Sequence, residues 1–272
     1  FCNTYFIKSL FTLLNKNKVK FKNIKVLTNQ TDHLITKDLY NLKPSCVSEW
    51  YSINIGHEAE GLKPIPLGLA NEYALKNLKK IDYKNININE DKKEMIYINF
   101  QVNTNYLERS KIYRTLKHKD YVFIDNPNLD LKMYINNLNS FKLILTPWGN
   151  GVDTHRIWES LYAGSIPIIK NHITFKTLDG LPVIRLRDYD DIDSNLFSNI
   201  SFTEYDSEKL KVDWWITKMN EKKIDSEKKA MLTLSKEDAS NIKKNYFDFL
   251  YKQNRIKKIR TVQRKILKKL NF

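Results

Sequence analysis

The sequence predicts an α/β protein whose sheets are built from parallel strands. Three observations carry this reading. From residue 95 to about 195, short apolar runs alternate with segments of helical period. Those runs are apolar throughout instead of alternating with polar residues, so both faces of the sheet must be covered. The chain has 272 residues, 42% of them hydrophobic, enough for one large domain or two small ones with real cores. Only 7 Gly and 7 Pro argue against a low-complexity or fibrous chain.

In chain order, residues 1–20 read as a short helix with Phe6, Leu10, Leu13 and Leu14 as its apolar positions. "IKVLTN" (24–29) reads as a buried strand and "QTDH" as the loop after it. "CVSEWYSINIG" is a second strand after a turn at Pro44, and "KPIPLGLAN" (63–71) is held extended by its prolines as a crossover. The charged run "KNLKKIDYKNININEDKKE" (76–94) reads as a linker. Then come strand "MIYINF" (95–100), helix "YLERSKIYRTLKHK" (106–119), strand "YVFID" (121–125) and helix "LDLKMYINNLNS" (129–140). Strand "FKLILTP" (141–147), helix "THRIWESLYA" (154–163) and strands "SIPIIK" (165–170) and "LPVIRL" (181–186) complete a Rossmann-like pattern. From 205 onward the chain reads as helical. The expected divisions are 1–85, 86–204 and 205–272.

Formal net charge is +15, from 46 Lys+Arg against 31 Asp+Glu, in a composition crowded with Lys, Asn and Ile. The excess is uneven. Residues 251–272 hold Lys252, Arg255, Lys257, Lys258, Arg260, Arg264, Lys265, Lys268 and Lys269 and no acid. There, helical spacing gathers Ile256, Ile259, Val262, Ile266 and Leu270 on one face. Such a helix can lie on an anionic membrane through 252–272; the alternative is a solvated helix that packs its stripe on the body. Outside that tail the excess is mild and no nucleic-acid-binding motif occurs, which disfavours nucleic acid as the partner. Two cysteines, Cys2 and Cys46, make neither a disulfide framework nor a metal spacing and point to a reducing compartment. No apolar run reaches the length of a membrane span. The first residue is not Met, so the chain is expected to be a piece of something longer.

The chemistry concentrates in "TPWGNGVDTHRIWESLYAGSIPIIK" (146–170). In an open parallel sheet, ligands bind beyond the carboxyl ends of the strands, where "PWGNGVD" lies. Glycines let the backbone approach a ligand closely. Asp153 or Thr154 can cap the following helix, whose N-terminus is an anion site. Arg156, in the first turn, adds a cation that can fork onto phosphate oxygens. Glu159, three residues on, suits the two hydroxyls of a ribose. Together these describe a nucleoside diphosphate. The competing reading of Arg156 and Glu159 is an ordinary surface ion pair. Gly149-Asn150-Gly151 is not a full GxGxxG, which disfavours a dinucleotide dehydrogenase.

"GNGVDTHRIWESLYAGSIPII" resembles the nucleotide-sugar-binding segment of exostosin-like glycosyltransferases, which carry an Arg, a Glu three residues later, a small residue and an (I/V)P(I/V) strand. A looser likeness runs to the alpha-1,3-fucosyltransferases; His155 and Arg156 stand where those carry Glu and Lys. "LTNQTDH", "SEWYSINIGH", "PIPLGLAN", "IYINFQVNTNYLERSKIY" and "KLKVDWW" are similar to further segments of exostosin-like proteins, so the likeness covers about 24–220. It implies the two-domain GT-B fold, with a shortened N-terminal half and no bound metal or other cofactor.

Carried over by this resemblance, Gly149, Asn150, Gly151 and Arg156 hold the pyrophosphate and Glu159 the ribose; Asp153 and Thr154, at the helix start, are counted with the donor-binding residues. Asn103, Asn105 and Arg109 border the same crevice, with Arg109 a second phosphate cation or an ordinary exposed helix arginine. Both families invert at the anomeric carbon, so a base must take the acceptor proton. Asp32, in the loop after the first strand, is the choice, against Glu49, His57 and Glu58; its other role is turn-making in "QTDH".

"DYDDID" (188–193) reads as a turn with capping acids in preference to a metal motif, and the five histidines show no zinc spacing. No GxSxG or Walker A sequence occurs, and Trp158, Trp214 and Trp215 read as core aromatics. The expectation is an inverting glycosyltransferase acting on a nucleotide-sugar donor and a glycan or other hydroxyl acceptor, cytoplasmic and membrane-peripheral, with a secretory route left open by the missing start. The alternatives are a basic nucleic-acid-binding module and a catalytically inactive sugar-nucleotide-binding relative.

Overall fold

The computed structural model describes residues 1–17, 20–29, 32–84, 91–197, 207–221 and 231–269. The chain divides into two compact units, Phe1–Ile65 with Ile224–Phe272, and Pro66–Lys223.

The first unit carries a four-stranded sheet, all parallel, in the order β1 (Cys2–Asn3), β2 (Ile24–Asn29), β3 (Val47–Ser52) and β4 (Leu62–Pro64). Helix α1 (Ile7–Lys16) buries Ile7, Phe11 and Leu14, spaced four and three apart on one face. Phe11 meets Trp50 of β3 edge to face, with ring centroids 4.9 Å apart. The indole is fully buried, and its N–H is satisfied by the Thr28 hydroxyl at 2.8 Å. The short α2 (Lys37–Tyr40) starts at a Thr36 cap. The long final helix α7 (Lys236–Lys269) docks by its first turns, with Tyr246 stacked on Phe6 and Phe249 packed at a tilt against Tyr5.

The second unit carries a five-stranded parallel sheet in the order β6-β5-β7-β8-β9. Its strands are β5 (Lys93–Ile98), β6 (Val122–Ile124), β7 (Phe141–Leu145), β8 (Ile166–Lys170) and β9 (Ile184–Leu186). Helices α3 (Tyr106–Leu116), α4 (Leu131–Ser140) and α5 (His155–Tyr162) make the crossovers, and α6 (Val212–Asn220) follows the sheet. Ile96, Ile98, Leu143, Leu145, Ile166 and Ile168 pack with Ile112 and Leu116 of α3. Tyr97 and Ile144, from the other face, pack with Tyr134, Ile135 and Leu138 of α4. Burial on both faces is the reason the strand runs are apolar throughout.

The α/β class, the parallel sheets and the alternation along 93–186 match the sequence reading; the first strand there is Lys93–Ile98 instead of 95–100, and the other elements are shortened at their ends. The linker reading is revised at 76–84. Leu78 there is fully buried in the α4 cluster, and Lys80–Tyr83 forms a 3-10 turn; residues 85–90 lie outside the described residues. Two apolar pegs, Leu78 and Tyr83, hold a segment whose overall composition is charged. Packing therefore divides the chain at 65/66, where composition divides it at 85/86, and it assigns α7 to the first unit and α6 to the second. "DYDDID" is a capped 3-10 turn, with Asp188 accepting from Asp190 N–H. Among the described residues, no helix is long and apolar enough to cross a membrane.

Strand order places the site. From β5 the chain crosses to β6 on one side, then returns past β5 to β7 on the other. The connections leaving β5 and β7 therefore diverge and open a crevice at the carboxyl ends of these neighbours.

Candidate anion site at the switch point of the second sheet

The loop after β7 is fixed at both ends. Thr146, fully buried, donates its N–H and its hydroxyl to Ile168 O of β8, at 3.0 and 2.8 Å. At the far end Asp153, 3% exposed, accepts from Leu67 N–H at 2.8 Å and from the Trp158 indole at 2.9 Å. Burial lifts the Asp153 carboxyl to about 6, against the lowering effect of those two donors. Between the ends, Gly149 N–H donates to Gly151 O at 3.0 Å and closes a tight turn. Asn150 at its tip is exposed.

Arg109, near the start of α3, is 6% exposed and sits under this turn. Its guanidinium donates to Trp148 O at 2.9 Å, Pro147 O at 2.8 Å and Gln101 O at 2.8 Å. It also lies over the Phe100 ring. Arg109 thus stitches the loop after β5 to the loop after β7, across the switch point. A side chain at Gly149 would place its Cβ 3.3 Å from Arg109 Nη2, so glycine lets the turn sit directly on the guanidinium. Burial, then the nearby charge of Arg156, lowers the Arg109 pKa to about 10, which leaves it charged at neutral pH.

Arg156 lies in the first turn of α5 and is half-buried. It donates one hydrogen bond, from Nη1 to the Tyr134 hydroxyl at 2.9 Å, and rests over the Tyr134 ring. Tyr134 in turn donates to Glu159 at 2.9 Å. Complete burial, above all, raises the Tyr134 pKa far above its usual value, so it stays a donor. Glu159 is 3% exposed, and its other oxygen accepts from Leu78 N–H at 3.4 Å. Among the described residues neither Arg109 nor Arg156 forms an ion pair with a carboxylate. The nearby acid Glu108 is taken by Lys170 and by Asn105, whose side-chain amide donates to it at 2.8 Å.

Among the described residues, two buried polar atoms of the same loop are left without a partner. Thr154 is the N-cap of α5, yet its hydroxyl makes no capping bond and is buried. The Trp148 indole N–H is likewise buried and unpaired. An orphaned polar atom in such a setting costs about 1–3 kcal/mol. Two buried or half-buried cations that form no ion pair among the described residues, a helix start whose cap is unused and a glycine turn form a site that favours an anion.

The sequence-predicted residues therefore divide. Gly149, Asn150, Gly151, Thr154 and Arg156 stand together on the loop and helix start, with Arg109 and Asn105 beneath and beside them. Asn103 is exposed in the 3-10 turn Val102–Thr104. Asp153 is an anchor, not a cap; Thr154 holds the cap position. Sequence reading missed Tyr134 and Lys170. Lys170 ends β8 and lies 4.6 Å from the centroid of the Trp148 ring. Its place at a strand's carboxyl end was the available signal. Nothing in one sequence marks Tyr134 beyond its helical period.

In the first unit, Asp32 is exposed in the loop after β2, close enough for its charge to bear on His33 and Tyr5. Glu49 is engaged by Lys63, Lys25 and Tyr51; burial alone would raise its pKa, but these hydrogen bonds hold it at about 2. His57 stands edge-on to Tyr40, with both ring nitrogens buried and unpartnered among the described residues. Among the described residues, no cluster of three or more His, Cys, Asp or Glu is arranged to hold a metal ion. No protein-family model matches this chain, and no curated protein matches it either.

Proposed function

We propose that the second unit binds the diphosphate of a nucleotide sugar and that the chain is an inverting glycosyltransferase of exostosin-like, GT-B type. The observation that carries the reading is the pair Arg109 and Arg156, neither of them ion-paired among the described residues, beside the glycine turn and the unused cap of α5. A phosphate ester supplies the missing negative charge, and the Thr154 hydroxyl and the α5 N–H groups supply further donors.

In this reading the acceptor hydroxyl attacks the anomeric carbon while a base removes its proton. The bond from that carbon to the diphosphate oxygen breaks, and negative charge grows on the leaving phosphate. Among the described residues, four of the Arg156 N–H donors have no partner, and they meet that charge directly. Arg109 contributes its charge from below while building the loop. Glu159 accepts two hydrogen bonds and is almost fully buried, so we assign it to anchoring Tyr134, and through it Arg156, in place of the ribose contact its spacing implied. Exposed Asn103 and Asn150 are the groups placed to meet hydroxyls of ribose or sugar. Asp32 is the proposed base. No metal or other cofactor is needed in this scheme, because cationic side chains and the helix start do the charge stabilisation.

The test is transfer or donor hydrolysis with a set of nucleotide sugars. Arg156→Ala should lower kcat by about a hundredfold or more, the usual effect of removing one donor to a developing oxyanion. Near-normal turnover in that variant overturns the assignment.

A further inference from the structure

Helix α7 is docked for only part of its length. Its first turns are tied to the first unit through Asp238, which pairs with Lys16 at 2.6 Å, and through Tyr246 and Phe249. Beyond Leu250 every side chain that is described is exposed. Tyr251 is 71% exposed, Ile259 50% and Val262 56%. The helix nevertheless runs on to Lys269, about 28 Å past the docked turns. A helix this polar has little tertiary packing to keep it folded along that length, and isolated helices are marginal in water.

A 3.6-residue period gathers Ile256, Ile259, Val262 and Ile266 on one side, and Lys257, Lys258, Arg264, Lys265 and Lys268 on the other; Lys252 and Arg255 fall within the apolar side, where their long stems can lie along the stripe and carry the charge out to its edge. From 251 to 272 there are nine cations and no acid. We infer that the projecting part of α7 is a docking surface for an anionic lipid bilayer, lying in the interface with its apolar stripe among the acyl chains and its cations at the headgroups. A bilayer takes both faces at once. A nucleic-acid duplex would use the cations and leave the aliphatic stripe in water. A second copy of the helix would cover the stripe but set nine cations against nine, with no acids to offset them. This inference stands on the helix alone and is independent of the diphosphate site.

The experiment is sedimentation of the full chain with vesicles of phosphatidylcholine alone and of phosphatidylcholine with phosphatidylserine, at physiological salt, beside a titration with a DNA duplex. The chain should bind only the anionic vesicles. Replacing Arg255, Lys258 and Lys265 by Gln together should weaken binding about a hundredfold, roughly fivefold per charge. The pair Ile259→Ser and Val262→Ser should weaken vesicle binding at least tenfold and leave duplex binding unchanged. All five side chains are exposed, so an unchanged melting curve is expected for both variants. Absence of vesicle binding, vesicle binding indifferent to the apolar pair, or tighter binding to the duplex than to the vesicles would overturn the inference.

Discussion

Arg156 and Glu159, three residues apart on one helix, do not pair with each other; both hydrogen-bond the hydroxyl of Tyr134. The phenol accepts from the arginine and donates to the acid. This removes the ordinary i,i+3 ion pair as the account of their spacing. It leaves Arg156 without an ion pair among the described residues, and it turns Glu159 into a support held from three elements: α4, α5 and the segment at Leu78.

Tyr134→Phe removes the middle of this chain. The buried Glu159 carboxylate loses one of its two donors, so stability should fall by about 1–3 kcal/mol. Arg156 also loses its hydrogen bond to the phenol, and diphosphate affinity should fall, though by less than in Arg156→Ala. Denaturant unfolding together with calorimetric titration checks both parts.

Arg109 and Arg156 should separate cleanly between stability and binding. Arg109→Ala strands three carbonyl groups and empties a buried site, which predicts a loss of about 3–5 kcal/mol. Arg156→Ala removes a half-buried side chain with one hydrogen bond, which predicts a stability loss of about 1 kcal/mol but a large loss of ligand affinity. Equal stability losses would undo the division of labour.

Asp153 predicts an unusual pH dependence. Its folded pKa of about 6 lies above the unfolded value of about 3.9. Between those values the native state holds more protons than the unfolded chain, so this group makes stability fall as pH rises through the window. Its stabilising contribution is full below about pH 4 and gone above pH 6, a change of about 2–3 kcal/mol. The stability difference between the parent and Asp153→Asn, followed from pH 4 to 7, should carry that slope. A flat difference would show that Asp153 keeps an ordinary pKa.

Gly61 gives a control away from the site. Its φ is +69°, and an added Cβ would come 2.2 Å from Ser48 O. Gly61→Ala should therefore cost more than 1 kcal/mol by backbone strain and clash in the first unit. Ligand affinity of the folded protein should not change.

Much of this architecture is legible in the sequence because strand identity depends on local composition. "IKVLTN" reads as a strand over 24–29 and is one over Ile24–Asn29. The glycine turn and Arg156 were equally legible, since turn chemistry and a helix start are local. What stays hidden is whatever depends on a distant partner. Asp153 reads as a cap because Asp and Thr both cap well; only Leu67 N–H and the Trp158 indole make it an anchor. Arg109 looks like any helix arginine until the carbonyls of Pro147 and Trp148 surround it. Leu78 is one apolar residue in a charged run, and its burial is decided by α4. The helices after 205 separate into different units because an apolar stripe does not name the surface it covers.

The central claim is tested most directly by a thermal-shift and calorimetric screen of the chain against UDP, GDP, CMP and their sugars, with ATP and NAD as controls. The account predicts selective stabilisation by one nucleotide diphosphate or its sugar, largely lost in Arg156→Ala while that variant melts near the parent's temperature. No shift with any of them at millimolar concentration, or a shift that Arg156→Ala leaves intact, would contradict it.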